Sequence, residues 1–120
     1  FGPRPRDYSF KLNKKVKLLA RRSALSHKAK DNAIMIVEDF TMDVPKTKEF
    51  IAIVKDLKLE CKKMLLVLPD NNRAIYLSAR NLSQTRVMNV SELNTYRVMD
   101  AVALVFTEKS IAVVEQLLNV

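Results

Sequence analysis

One glycine, one cysteine, one histidine and no tryptophan occur in 120 residues, and each scarcity removes a class of function. The phosphate-cradling loops of nucleotide-binding α/β proteins need glycine for a tight turn and for close backbone approach. Gly2 stands alone near the start of the chain, and the segments EDFTMDVP and PDNNR, which follow the first two apolar runs, cannot imitate such loops. A dinucleotide site, or any small-molecule substrate held in that way, is therefore not expected, and no cofactor is implied. His27 and Cys61 lie too far apart to begin a ligand cluster, so no metal is expected either. A lone thiol forms no internal disulfide and suits a reducing, cytoplasmic setting. Cys61, next to Lys62 and Lys63, reads as an incidental thiol because no base accompanies it. No apolar run approaches the roughly 20 residues that cross a bilayer, and no secretory signal pattern is present, so no membrane partner is expected. The first residue is Phe1 rather than methionine, which suggests a processed form or a fragment.

Acid is scarce in one place only. Residues 1–30 hold ten Lys/Arg and a single carboxylate, Asp7, for a charge of +9, whereas residues 31–120 sum to −1. A nearly neutral domain thus carries a cationic N-terminal quarter, which points to a polyanionic partner.

From residue 31 onward one rhythm repeats. Short apolar, β-branched runs at 33–40, 63–68, 85–90 and 101–106 alternate with helical patterns. Near-continuous apolarity suits strands covered on both faces, so residues 34–37, 64–68, 86–89 and 102–106 are predicted to form a parallel sheet. Asp43 is placed as the cap of a helix with Pro45 in its first turn and Phe50, Ile51, Val54 and Leu57 on one face. Asn71 or Asn72 caps a helix through Ile75, Ala79 and Leu82, and Asn94 starts a short one over Tyr96 to Met99. Thr107 is placed as cap of the last helix, with Glu108 near its positive end. Four strand–helix units in succession predict an α/β fold, a doubly wound, mainly parallel sheet with helices on both faces. One domain, residues 13–120, follows an extended basic strip, residues 1–12. Glu38 and Asp39 could form an acid pair, but the favoured reading is a solvated loop or a set of helix-cap acceptors.

Ahead of the sheet, residues 13–28 predict a helix that Asn13 could cap. On a helical wheel Leu12, Val16, Leu19, Ala20, Ser23 and His27 share one side, taken as the buried one, with His27 in a structural role. Lys14, Lys15, Lys17, Arg21, Arg22 and Lys28 share the other, where Leu18 and Leu25 break the pattern. Before this helix the prolines of GPRPRDY hold the strip extended and preorganise Arg4 and Arg6. Tyr8 and Phe10, interleaved with the cations, could stack on bases or pack the strip onto its own domain. Ten cations with one acid is not the mixed-sign pattern of an ordinary soluble surface, so binding of a polyanion is the favoured reading.

The stretches GPRPRDYSFKLNKKVKLLARRSALSHKA, EDF, PKTKEF and YLSARNL resemble the second half of the bacterial large-subunit ribosomal protein four family. Asn13 departs from the proline common before KK in that family. The family's N-terminal portion and long extended tunnel loop have no counterpart in this sequence. The resemblance implies a non-enzymatic role: a structural constituent of the large ribosomal subunit in the cytoplasm that binds ribosomal RNA, adjoins neighbouring ribosomal proteins and supports assembly. It carries RNA-facing or loop-anchoring roles to Arg4, Arg6, Asp7 and Tyr8, and RNA-facing roles to Lys11, Lys14, Lys15, Arg21 and Arg22. Arg80 and Asn81 of SARN join them, unless Arg80 braces its own helix. A regulatory RNA-binding protein acting on messenger RNA is the alternative, and an α/β enzyme stands third.

Overall fold

A computed structural model describes residues 1–119. Its ten elements run α1 (Lys14–Lys30), β1 (Ile34–Val37), α2 (Thr47–Asp56), β2 (Met64–Leu68), α3 (Arg73–Ala79), β3 (Thr85–Asn89), a single 3-10 turn (Val90–Glu92), α4 (Thr95–Asp100), β4 (Ala103–Thr107) and α5 (Glu108–Leu118). The four strands form one parallel sheet in the order β1-β4-β2-β3. All four predicted strands are present, and the pairing is parallel throughout, as their continuous apolarity required.

The order explains the burial. β2 and β4 lie in the middle and are buried at every position, whereas β1 and β3 form the edges and keep partial exposure. Alternate side chains feed two cores. Leu65, Val67, Leu104 and Phe106 meet Ala24 of α1, Val98 of α4 and Val114 of α5 on one face. Met64, Leu66, Leu68, Ala103 and Val105 meet Phe50 of α2 and Ile75 and Ala79 of α3 on the other. Two crossovers run outward from β1 through β2 to β3 on the α2/α3 face, and the return from β3 to β4 uses the opposite face. Right-handed connections require that switch of faces when the direction of travel across the sheet reverses.

One helix start, one helix end and one cap bond differ from the predicted ones. Asn72 and Asn94 do cap, accepting the amide hydrogens of Ile75 at 3.2 Å and Arg97 at 2.9 Å. Asp43 does not: α2 starts at Thr47, after Lys46 in an extended conformation whose N–H donates to Ser78 Oγ at 3.0 Å. Pro45 biases the residue before it away from helix, and burial of Met42 draws the loop inward, so the helix begins later. α3 ends at Ala79, short of Leu82. Thr107 holds the cap position of α5, but its buried hydroxyl bonds nothing among the described residues; Asp39 Oδ1 accepts from the Lys109 N–H instead, at 3.4 Å. Asp39 therefore sits as a helix-end acceptor rather than as half of an acid pair.

Scarcity of glycine leaves a mark on two helix ends. Asn32 and Lys58 take positive φ, 55° and 57°, just past α1 and α2. At each, the amides of this residue and the next bond back to carbonyls of the last turn: Asn32 to Ala29 and Ala33 to Lys28, then Lys58 to Lys55 and Leu59 to Val54. This is the turn that glycine usually makes, because a side chain is strained there.

Candidate nucleic-acid interface

The basic helix faces a different way from the predicted one. Ala24 is its buried residue, Leu25 packs against the core, and Lys28 Nζ reaches the Ala101 carbonyl at 2.6 Å. Leu12, Val16 and Leu19, expected inside, are 45%, 48% and 63% exposed. His27 is exposed too and faces Asp31 one turn on at 3.2 Å, so it has no place in the core. The cause is the connection: the tight turn at Asp31–Ala33 leads α1 straight into edge strand β1, so only its C-terminal half lies over the sheet. At 1.5 Å per residue the 17-residue helix is about 25 Å long; its first turn projects, exposed at every position, while one side of its N-terminal half borders the start of α4.

That projecting end is cationic and uncapped. Asn13 has the extended conformation of a cap residue but makes no side-chain cap bond, and the first turn contains no acid. Lys14, Lys15 and Lys17 crowd the positive end of the helix dipole instead, an arrangement unfavourable for the isolated helix. Anions bind at such ends, where free N–H groups and positive charge converge.

The strip continues outward. Residues 1–13 form no regular element and every one of them is exposed. The radius of gyration is 16.9 Å with extents of 60 × 36 × 26 Å. A compact chain of this length would have a radius of gyration of about 13.6 Å, so the excess reflects the projecting end. Within the strip, the only acid is already engaged: Asp7 accepts from the Ser9 N–H at 2.9 Å and from the Ser9 hydroxyl at 2.8 Å. The backbone bond first, and the hydroxyl bond second, hold its carboxyl below the ordinary value. Asp7 thus stabilises a local turn and leaves the arginines unneutralised. The Arg6 guanidinium lies 4.6 Å from the Tyr8 ring centroid, so cation and aromatic form one stacked unit.

The predicted contact residues divide by place. Arg4, Arg6, Tyr8, Lys11, Lys14 and Lys15 follow one another along the exposed strip and the projecting end of α1. Arg21 is half-buried further along, and Arg22 donates to the Leu118 carbonyl at the C-terminal end of α5, which gives it a bracing role of its own. Arg80 and Asn81 are exposed just past α3, on the sheet face opposite α1, and are not brought together with the rest. Beside α1 the structure adds two residues that the charge count passed over: Tyr96, exposed on α4, and Arg97, whose guanidinium stands 5.5 Å from the Tyr96 ring. The signal was in the spacing, since Tyr96 lies two residues before the buried Val98 and so turns away from the core.

The carboxyl edge of the sheet, where α/β proteins hold ligands, carries little chemistry. The first turn of α5 is occupied by Asp39, and no group of three or more His, Cys, Asp or Glu able to hold a metal occurs among the described residues. Nor is any described helix long and apolar enough to cross a membrane.

Comparison with known proteins agrees with the cationic architecture. The pattern of the ribosomal protein L4/L1 family matches residues 1–117. Large ribosomal subunit protein uL4 of Parabacteroides distasonis is 68% identical over 116 residues, covering 97% of this chain and 56% of that protein. The uL4 of Phocaeicola vulgatus is 59% identical over 119 residues, covering 99% of this chain and 57% of that protein, and the uL4 of Porphyromonas gingivalis is 60% identical over 117 residues. The chain spans little more than half the length of these relatives. On the match to the family and to these relatives together, the chain belongs to the ribosomal protein L4/L1 family.

Proposed function

We propose that this chain serves without catalysis as an RNA-binding constituent of the large ribosomal subunit, in the ribosome of the cytoplasm, with ribosomal RNA and neighbouring ribosomal proteins as partners and a part in subunit assembly. One observation carries the reading. The exposed strip and the uncapped end of α1 form a single projecting cationic arm whose only carboxylate is satisfied by its own turn. Among the described residues no acidic side chain pairs with the lysines and arginines of that arm, so its charge is unopposed, and an RNA backbone supplies the phosphates that free helix N–H groups and lysines favour.

In this reading residues 1–12 enter between RNA strands and residues 13–120 form the body that carries them. Arg4 and Arg6 grip phosphate through paired N–H bonds, while Lys11, Lys14 and Lys15 act as point charges. Tyr8 offers a ring backed by Arg6. Arg21 contributes from the flank of α1. Arg22 contributes whatever its bond to Leu118 leaves free, and Arg80 with Asn81 makes a separate, weaker contact. The membership of relatives named as large-subunit proteins supports the same conclusion.

The test is co-sedimentation with large ribosomal subunits, together with gel shifts on large-subunit ribosomal RNA and on a messenger leader RNA. Binding to the ribosomal RNA and migration with the subunit are expected. A preference for the leader RNA would support the regulatory alternative instead.

A further inference from the structure

The unexpected rotation of α1 leaves Leu12 and Val16 exposed, yet they do not face open solvent. With Lys17 and Arg21 they form one wall of an open groove of about 580 Å³, whose other wall is the start of α4 with Tyr96 and Arg97. Tyr96 is 71% exposed, and among the described residues its hydroxyl makes no hydrogen bond. The fold has no use for it there: Val98, fully buried, holds α4 to the core. Arg97 lies against the ring, and no acidic side chain lines the groove among the described residues. An exposed flat ring, an aliphatic floor and three unopposed cations occur together in one place.

These features select an occupant. A purely apolar helix face would gain nothing from Lys17, Arg21 and Arg97. An acidic peptide would not need the ring. A nucleotide needs both, because its base has two apolar π-faces and its phosphates are anionic. We propose that Tyr96 is a stacking platform for one unpaired nucleobase of the bound RNA. Leu12 and Val16 form the apolar floor, and Lys17, Arg21 and Arg97 hold the flanking phosphates. The inference rests on the RNA-binding reading above and adds to it a contact that is not ionic.

The non-ionic character gives a distinct signature. Stacking releases no counterions, so loss of Tyr96 lowers affinity without changing its dependence on salt, whereas loss of a phosphate contact changes both. The experiment measures binding of the chain to large-subunit ribosomal RNA at several salt concentrations for the parent, Tyr96→Ala, Tyr96→Phe and Arg4→Ala/Arg6→Ala. Tyr96→Ala should weaken binding about 5- to 150-fold with an unchanged salt slope. Tyr96→Phe, which keeps the π-face, should bind as the parent does. Ultraviolet zero-length cross-linking should leave a nucleotide adduct on the tryptic peptide spanning residues 87–97. Because Tyr96 is exposed, unchanged thermal melting of the alanine variant shows that folding is intact.

If Tyr96→Ala binds as tightly as the parent while Arg4→Ala/Arg6→Ala is weakened, the stacking platform is overturned and the RNA-binding reading stands. If neither variant is weakened, both fail. A Tyr96→Phe variant as weak as Tyr96→Ala would show that the hydroxyl is used rather than the face, which also overturns the proposal. Retained RNA affinity with lost subunit co-sedimentation would assign the groove to a protein neighbour and reject a nucleobase.

Discussion

Replacing Asn13 by aspartate should strengthen the start of α1 and weaken RNA binding at the same time. Asn13 already has the extended conformation of a cap residue, but its side chain makes no cap bond, and Lys14, Lys15 and Lys17 follow it with no acid in the first turn. A carboxylate at this position meets the positive end of the helix dipole and the lysines together, an effect of about 0.3–1 kcal/mol at an exposed helix end. Because the first turn of α1 is exposed at every position, the gain is local and belongs in local opening rather than in global melting. Amide exchange at Val16 and Lys17, whose N–H groups bond the Asn13 carbonyl at 3.1 and 3.2 Å, should slow about 2- to 5-fold. The same carboxylate repels a phosphate seated at the helix end. Taking the solvent-exposed limit of about 1 kcal/mol at 4 Å, affinity should fall about fivefold. The slope of log affinity against log salt should also flatten by about 0.7–0.9, as for one lost phosphate contact. The two readouts are exchange by NMR and RNA titration at several salt concentrations. Slower exchange with unchanged RNA affinity would mean that no phosphate sits at the end of α1.

Other perturbations separate structure from binding. Lys58→Gly should raise stability by about 0.5–1 kcal/mol, since Lys58 holds φ 57° where a side chain is strained; denaturant melts read it, and a destabilised variant would contradict the turn. Arg22→Ala should destabilise the α1–α5 contact by about 1 kcal/mol through loss of the bond to the Leu118 carbonyl, and it should change the salt slope less than Arg4→Ala does; an equal change in slope would make Arg22 a full phosphate contact. Asp7 should titrate below its ordinary value near 3.8, because the charged form accepts two bonds from Ser9. The sign follows: the turn is fully supported above the ordinary value and is lost as pH falls through the lowered one. NMR titration of the carboxyl should show this, and Ser9→Ala, which keeps the stronger backbone bond, should move the value only part of the way back.

The sheet was legible because β2 is apolar at every position and β4 at all but its last, Thr107, a pattern that only two-sided burial demands. Two helix caps were legible for a similarly local reason, as Asn72 and Asn94 satisfy amides three residues away. The facing of α1 was not. Its sequence carries two partial apolar stripes, Leu12–Val16–Leu19 and Leu18–Ala24–Leu25, and a helical wheel ranks them only by composition. The choice is made by the turn at Asp31–Ala33, which brings Ala24 and Leu25 of the second stripe over β1 and β4. The cap of α5 escaped for the same kind of reason, since its acceptor, Asp39, is 70 residues away in the chain. Of the candidate interface, the cationic strip could be read from charge alone. The groove between α1 and Tyr96 could not, because it exists only once α1 and α4 are packed together.

The most direct measurement is the salt dependence of binding to large-subunit ribosomal RNA for the chain in which Arg4, Arg6, Lys14 and Lys15 are all replaced by alanine. All four are exposed, so the fold should survive, as circular dichroism will show. Each contact contributes about 0.7–0.9 to the slope, so the variant should bind more weakly and lose about 3 units of slope against the parent. An unchanged affinity and an unchanged slope would place the RNA-binding surface elsewhere on the molecule.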